Sequence, residues 1–267
     1  MFYLVQSHFR NNLTASVGKF ASSNLIDHNI AVLLWKYSRR FSMAKLTLYH
    51  GSPIILERPI FGKGKANNDY GLGFYCTEHI ELAKEWACTE GASGYANQYE
   101  LEMDGLRVLN LSDGRFTILN WLAILLQNRQ INLSAPVQLK GQEYLLRNFL
   151  PKYEDYDVII GYRADDSYFS FARAFISNTI SLKQLSYAMR LGKLGEQVVL
   201  KSKKAFDAVH FVGYEAADES VYFAKRKTKD DEAREAFRKE LENDDVDGIY
   251  IRDITKEEMK QDDPRLQ

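Results

Sequence analysis

The sequence predicts an α+β fold, in which strands lie early and late in a domain and most helices lie between them. Alternating apolar residues predict early strands at residues 46–50 and 96–103, because a strand turns successive side chains to opposite faces. Residues 72–77 are predicted to form another early strand. Buried-helix patterns follow at residues 116–127 and 142–150. This order lacks the regular strand–helix alternation that is typical of βαβ folds.

The second half of the chain continues the mixture of strands and helices. Apolar segments predict three strands, the third as the neighbour of the second, at residues 157–161, 196–202 and 206–212. A charged amphipathic helix is predicted at residues 228–243, with Thr228 as its N-cap, before a short edge strand at residues 248–251. Either Ser112 or Asp113 is expected to cap the helix that starts at residue 116.

Composition and charge favour an ordinary globular protein. Hydrophobic residues make up 45% and charged residues 27% of the 267 residues, and the net charge is −1. The overall charge therefore gives no electrostatic reason to expect binding to nucleic acid or to an anionic membrane. The two cysteines, Cys76 and Cys88, form neither a disulfide framework nor a zinc motif, which indicates a reducing, cytoplasmic setting. No apolar run approaches the length of a membrane span.

The sequence predicts that the chain is divided into three regions. Residues 1–43 read as an N-terminal extension outside the core, and Met43 is expected to be the natural start because a convincing strand follows it directly. Residues 44–225 are predicted to form the main domain. Residues 226–267 are predicted to form a helical C-terminal appendage.

Two motifs early in the chain are candidates for a binding site. The first predicted strand ends on His50-Gly51-Ser52, and the second motif, Tyr70-Gly71-Leu72-Gly73-Phe74-Tyr75, leads through a strand into a helix. Glycine at two nearby positions lets the backbone turn sharply or approach a bound molecule closely. Far downstream, Glu196 opens the hydrophobic strand Val198-Val199-Leu200.

In this order the three motifs resemble ADP-ribosyltransferases of the His-Tyr-Glu type, which include poly-ADP-ribose polymerases and diphtheria-type toxins. The resemblance spans most of the chain from residue 46 onward. It implies split mixed and antiparallel sheets with flanking helices, and a mono-ADP-ribosyltransferase that moves ADP-ribose from NAD to a protein or nucleic-acid acceptor. NAD enters as a substrate, and no metal is implied. A Rossmann site is not expected, since the Gly-x-Gly-x-x-Gly pattern is absent.

The resemblance implies a role for each matching residue. His50 holds the adenosine-side ribose, and Glu196 acts on the nicotinamide-side ribose, where positive charge develops as in glycoside hydrolysis. Tyr75 stacks on the nicotinamide ring, Gly51 offers backbone groups to its amide, and Tyr70 adds a second wall. Glu196, His50 and Tyr75 form the predicted catalytic set. The predicted NAD-binding residues are His50, Gly51, Ser52, Tyr70, Gly73, Tyr75 and Gln197.

The position of the acid is open, because Glu196 and Gln197 are neighbours on a strand and face opposite ways. The polymerase-like pattern selects Glu196, which is preferred because His50 and Tyr75 match that subgroup. A register shifted by one places Gln197 in the cleft and predicts a weaker transferase or a binding form.

Two further functions are alternatives. One is NAD glycohydrolysis, or NAD-dependent removal of a 2′-phosphate from RNA. The other is a non-catalytic module that binds a nucleotide or a partner protein. The pattern is also similar to that of an uncharacterised bacterial family, and this resemblance implies a toxin-like or defence modifier paired with a small neutralising protein of the antitoxin type.

Overall fold

Two β-sheets and flanking helices make up the computed structural model, which describes residues 45–164, 166–189, 195–243 and 245–266. The antiparallel three-stranded sheet has the order β1 (Lys45–Ser52), β3 (Gly94–Glu102) and β7 (Val209–Ala217). The four-stranded sheet has the order β2 (Phe74–Cys76), β6 (Glu196–Leu200), β5 (Val158–Tyr162) and β4 (Val108–Asn110), and its β4–β5 pair is parallel. The predicted α+β class, with an antiparallel and a mixed sheet, is confirmed.

The helices of the described residues follow the chain between and after these strands. They are α1 (Ile80–Ala87), α2 (Ile118–Asn128), α3 (Pro136–Asn148), α4 (Asp166–Ile176), α5 (Leu182–Ala188), α6 (Lys203–Asp207), α7 (Glu219–Leu241) and α8 (Ile251–Lys256). Helix α2 is buried on every side from residue 119 to residue 126, and it lies in the largest hydrophobic cluster, where Trp121 is almost completely buried. No helix among the described residues is long and apolar enough to cross a membrane.

Both predicted helix caps are wrong. Helix α2 is capped by Thr117, whose hydroxyl accepts a hydrogen bond from the Leu119 N–H (3.3 Å), rather than by Ser112 or Asp113. Helix α7 begins nine residues earlier than predicted, after Asp218, whose carboxylate accepts from the Ser220 N–H. Thr228 lies inside this helix, where its hydroxyl donates back to the Ala224 carbonyl, as threonine does in helix interiors.

Two strand predictions are also wrong. Helix α6 follows β6 and turns the chain to the other sheet, so β7 pairs with β3 and not with β6. Residues 248–251 form no strand; Tyr250 instead precedes α8, and its N–H donates to the Asp253 carboxylate (3.0 Å).

The two sheets meet at the outer edge of β1. Tyr49 exchanges both backbone hydrogen bonds with Thr77, just after β2, at 2.7 and 2.9 Å. Residues Lys45–Gln267 form one compact unit. The predicted boundary at residue 225 falls inside α7, whose Ala233 and Phe237 are buried in the main hydrophobic cluster.

Candidate functional site

A cleft of about 1030 Å³ is lined by residues from both sheets, from α1 and from α7. It brings together five of the residues that the sequence singles out, and these are His50, Gly51, Gly73, Tyr75 and Gln197. Three other predicted site residues do not line it, and these are Ser52, Tyr70 and Glu196.

His50 lies near the end of β1 with its ring close to that of Phe74, the centroids being 4.5 Å apart. Its Nδ1 is 2.7 Å from the Tyr75 carbonyl oxygen. Because a carbonyl can only accept, Nδ1 carries the hydrogen, and Nε2 is the acceptor of the neutral ring. Burial lowers the pKa of His50 and so favours this neutral form.

Gly51 has a backbone that faces an open strand edge. Tyr49 directs its N–H and C=O away from β3 and towards Thr77, and Gly51, two residues on, faces the same way in an antiparallel ladder. In the described part of the chain, no backbone group is paired with Gly51 on that edge. One free donor and one free acceptor are therefore available at the cleft.

The close packing of α1 explains why residue 51 has no side chain. A Cβ there would lie 2.7 Å from the Ala87 nitrogen and still closer to the Ala83 carbonyl. Glycine is thus required because α1 packs directly on β1. The free backbone groups at the edge are a separate feature of the same residue.

Tyr75 is held in place by its own hydroxyl. It donates to the Gly71 carbonyl (2.5 Å) and accepts from the Tyr70 N–H (3.1 Å). Gly71 forms this turn with a φ of +74°, which favours glycine. The hydroxyl is therefore occupied and the ring is fixed beside the cleft. Burial raises the pKa of Tyr75, so the phenol stays protonated.

The register of β6 places Gln197, and not Glu196, in the cleft. Gln197 is only 3% exposed, and its Nε2 donates to Asp69 Oδ2 (2.9 Å) and to the Tyr162 carbonyl (3.1 Å). Glu196 opens the strand with an exposed side chain. The preferred alignment put the acid in the cleft, and the structure places the amide there.

Two other predicted residues have structural positions. Tyr70 is completely buried in the main hydrophobic cluster, and its hydroxyl donates to the Tyr162 carbonyl (2.8 Å), so it supports the floor beneath Gln197 rather than forming a wall. The Ser52 hydroxyl is buried and accepts from the Ile54 N–H (3.2 Å), which stabilises the turn after β1.

Sequence reasoning missed a polar group beside Gln197. Asp69 is 7% exposed and lines the cleft together with Arg129 and Arg163. Arg129 Nη1 lies 3.3 Å from Asp69 Oδ1, and the Arg163 guanidinium lies over the Trp86 ring at 4.3 Å from its centroid. These residues come from separate loops and helix ends, so no spacing in the sequence joins them.

Helix α7 supplies another wall of the cleft. Its lining residues are Phe223, Arg226, Lys227, Asp230 and Arg234. Across the described lining, cationic side chains outnumber acidic ones by six to three; the cations are Lys63, Arg129, Arg163, Arg226, Lys227 and Arg234, and the acids are Asp69, Glu90 and Asp230. This excess of positive charge favours an anionic ligand. No group of three or more described His, Cys, Asp or Glu residues is placed to hold a metal ion.

Comparison with known proteins places the chain in a family. The model of the family described as "Protein of unknown function (DUF3990)" matches residues 46–211, more than half of the chain. The chain belongs to the DUF3990 family. Searches of curated proteins and of solved structures each gave no match. The DUF3990 region contains His50, Gly51, Tyr75 and Gln197 and ends within β7, so the α7 wall lies beyond it.

Proposed function

We propose that the cleft binds NAD and that the protein transfers ADP-ribose from NAD to a macromolecular acceptor. The proposal depends chiefly on one observation, namely that His50, Gly51, Tyr75 and Gln197 line the same cleft although β1, β2 and β6 are far apart in the sequence. Tyr75 pairs with Val199 across β2 and β6, and Gln197 lies two residues from Val199, so both side chains stand on one face of the sheet.

The available groups suit the parts of NAD. A primary carboxamide such as that of nicotinamide has both a donor and an acceptor, and it complements the free N–H and C=O of Gly51. A fixed aromatic ring such as Tyr75 can stack on the planar, cationic nicotinamide. The excess of cationic side chains in the cleft suits the two phosphates of the dinucleotide.

The proposed reaction replaces one bond at the anomeric carbon by another. The bond between that carbon and the nicotinamide nitrogen breaks, and nicotinamide leaves with the bonding electrons. The acceptor nucleophile forms the new bond to the anomeric carbon and gives up its proton to water. Gln197 is assigned to the nicotinamide-side ribose, since Glu196 is exposed and does not line the cleft. A catalytic role for Glu196 stays a prediction from the resemblance alone.

A second candidate function is a non-catalytic module that binds NAD or a related nucleotide. The observation that favours it is the amide at the cleft position of β6, where the resemblance leads one to expect an acid. An amide can bind a ribose hydroxyl, but it carries no charge to stabilise an oxocarbenium-like state.

Incubation of the protein with NAD labelled in the adenylate moiety, together with cell extract, tests the proposal. Label on protein or nucleic acid supports transfer, free labelled ADP-ribose supports glycohydrolysis, and intact NAD bound to the protein supports the module. Tyr75→Ala is expected to abolish labelling. Tyr187→Ala, which changes a 49% exposed tyrosine on α5 outside the cleft, is the matched control.

The proposed setting is the cytoplasm of a bacterium, with the protein as a toxin-like or defence effector and a small neutralising protein as its partner. This part of the proposal follows from the resemblance of the motifs. Expression in bacteria tests it. The wild type is expected to slow growth and Tyr75→Ala is not, whereas equal growth of the two would contradict the effector role.

A further inference from the structure

Asp69 is the buried carboxylate that ties the walls of the cleft together. Its Oδ2 accepts from the Ala164 N–H (2.8 Å), just after β5, and from Gln197 Nε2 (2.9 Å) on β6. Its Oδ1 lies 3.3 Å from the Arg129 guanidinium, just after α2. Among the described residues its partners are donors and cations, which favour the ionised, acceptor-only form of the carboxylate, although burial raises the pKa of Asp69.

The Gln197 amide has a single orientation in this arrangement. Both partners of its Nε2, the Asp69 carboxylate and the Tyr162 carbonyl, are acceptors. A flipped amide would set Oε1 against two other oxygens, so the observed orientation is enforced. In the part of the chain that the structure describes, no group donates to Oε1, which is therefore the acceptor that Gln197 can offer to a ligand in the cleft.

We propose that Asp69 is the positioning residue of this site, which holds the Gln197 amide so that Oε1 accepts a hydrogen bond from a hydroxyl group of the bound substrate. The inference rests on the proposed NAD-dependent function. The resemblance placed the carboxylate of the site at Glu196. In this proposal the carboxylate is Asp69, which lies on the loop before β2 and acts through the Gln197 amide.

The charges around Asp69 favour positioning over direct catalysis. Arg129 and Arg163 both act on the carboxylate electrostatically, and Arg129 is in direct contact with it. The direct contact with Arg129 weakens the field that Asp69 could direct at a developing cation. Its hydrogen bonds, which fix the direction of one neighbouring amide, are the stronger contribution.

A double-mutant cycle between Asp69→Asn and Gln197→Met, scored by the steady-state rate of NAD consumption, tests this role. Asp69→Asn removes the negative charge that strengthens both hydrogen bonds to Oδ2, and it turns an NH2 donor towards Arg129, which loosens the Gln197 amide. We expect kcat to fall by about tenfold or more, with a smaller change in KM for NAD. In the Gln197→Met background the same substitution is expected to cost less than about twofold, because residues that act through one another are not additive.

Three further variants serve as controls for this cycle. Asp207→Asn changes an exposed carboxylate on α6 and is expected to leave NAD consumption unchanged. Asp69→Glu keeps the charge but displaces the oxygen that holds Gln197, so it is expected to lower kcat as well. It also replaces Asp69→Asn in the cycle should that variant fail to fold. Glu196→Gln is expected to retain more turnover than Asp69→Asn.

The outcomes separate the two claims. No NAD consumption by the wild type would overturn the proposed transfer and with it the role of Asp69. Turnover by the wild type, with wild-type kcat in both folded Asp69 variants, would overturn only the role of Asp69. An equal loss from Asp69→Asn with and without Gln197→Met would show that Asp69 does not act through Gln197.

Discussion

The two parts of the Tyr75 side chain have different roles. The hydroxyl orients the ring, and the ring is available to contact a ligand. Both of its hydrogen-bonding functions are used within the turn at Tyr70 and Gly71. The ring is the part that remains for a ligand. Removing the hydroxyl and removing the ring should therefore have different effects.

Tyr75→Phe is expected to lower the free energy of unfolding by about 1–3 kcal/mol, because the Gly71 carbonyl and the Tyr70 N–H lose their partner. Urea denaturation measures this change. NAD binding is expected to weaken only slightly, since the ring remains. The control is Tyr187→Phe, which changes an exposed tyrosine. Equal stability of the two variants would contradict a stabilising role for the hydrogen bonds of the Tyr75 hydroxyl.

His50 predicts a pH dependence of stability. An unfolded histidine takes up a proton near pH 6.5, whereas burial lowers the pKa of folded His50 below that value. The unfolded state therefore binds more protons in this window, and stability falls as the pH drops below 6.5. His50→Asn, whose amide can donate to the Tyr75 carbonyl, should flatten this slope in thermal unfolding. An unchanged slope would show that His50 does not titrate as described.

The register of β6 shows what could not be predicted for single residues. Alternation on a strand requires Glu196 and Gln197 to face opposite ways, but it does not say which faces the cleft. Asp69, which bonds Gln197, is 128 residues away in the chain, and no motif contains it. Such a contact becomes visible only after the strands are paired.

At the scale of elements, the contact between β1 and α1 sets the geometry of the cleft. Gly51 lets α1 approach so closely that a Cβ would overlap its backbone. Trp86 on α1 then reaches the cleft, where its ring meets Arg163. One glycine thus positions a helix as well as exposing backbone groups at the strand edge.

Gly51→Ala is expected to destabilise the protein by about 2 kcal/mol or more, since backbone atoms of α1 must move. Gly213→Ala is the matched control, because Gly213 lies on β7 in the same sheet and a Cβ there meets nothing within 4 Å. Thermal unfolding of both variants measures the difference. A wild-type melting temperature for Gly51→Ala would contradict the close packing.

The elements themselves could largely be predicted, because apolar alternation identifies strands such as β1 and β3, and a continuous apolar segment identifies β5. Which strands pair with each other could not be predicted. The short helix α6 sends β7 to the other sheet, and a five-residue helix leaves little periodic signal. The helix starts failed where several capping residues compete within a few positions, as they do before α2.

At the scale of the molecule, α7 is anchored to α1 by a buried charge. Glu85 on α1 is 1% exposed, and its carboxylate lies 2.7 Å from Lys229 Nζ and 3.7 Å from Lys225 Nζ. Because α7 forms one wall of the cleft, this anchor connects stability to the site. Helices α1 and α7 were both predicted from the sequence, but no sequence pattern links Glu85 to Lys229.

Lys229→Met is expected to lower the free energy of unfolding by about 2–3 kcal/mol, because it leaves Glu85 buried with only the more distant Lys225. The control is Lys203→Met on α6, which breaks an exposed ion pair with Asp207 and should cost less than about 1 kcal/mol. Urea denaturation compares them. Similar losses in the two variants would contradict the anchoring of α7 by Glu85.

The measurement that tests the central claim most directly is calorimetric titration of the protein with NAD. The wild type and Tyr187→Ala are expected to bind NAD with equal affinity, and Tyr75→Ala, which removes the ring from the cleft, is expected to bind at least about tenfold more weakly. No binding of NAD by the wild type, or equal affinity in the folded Tyr75→Ala variant, would contradict the assignment of this cleft to NAD.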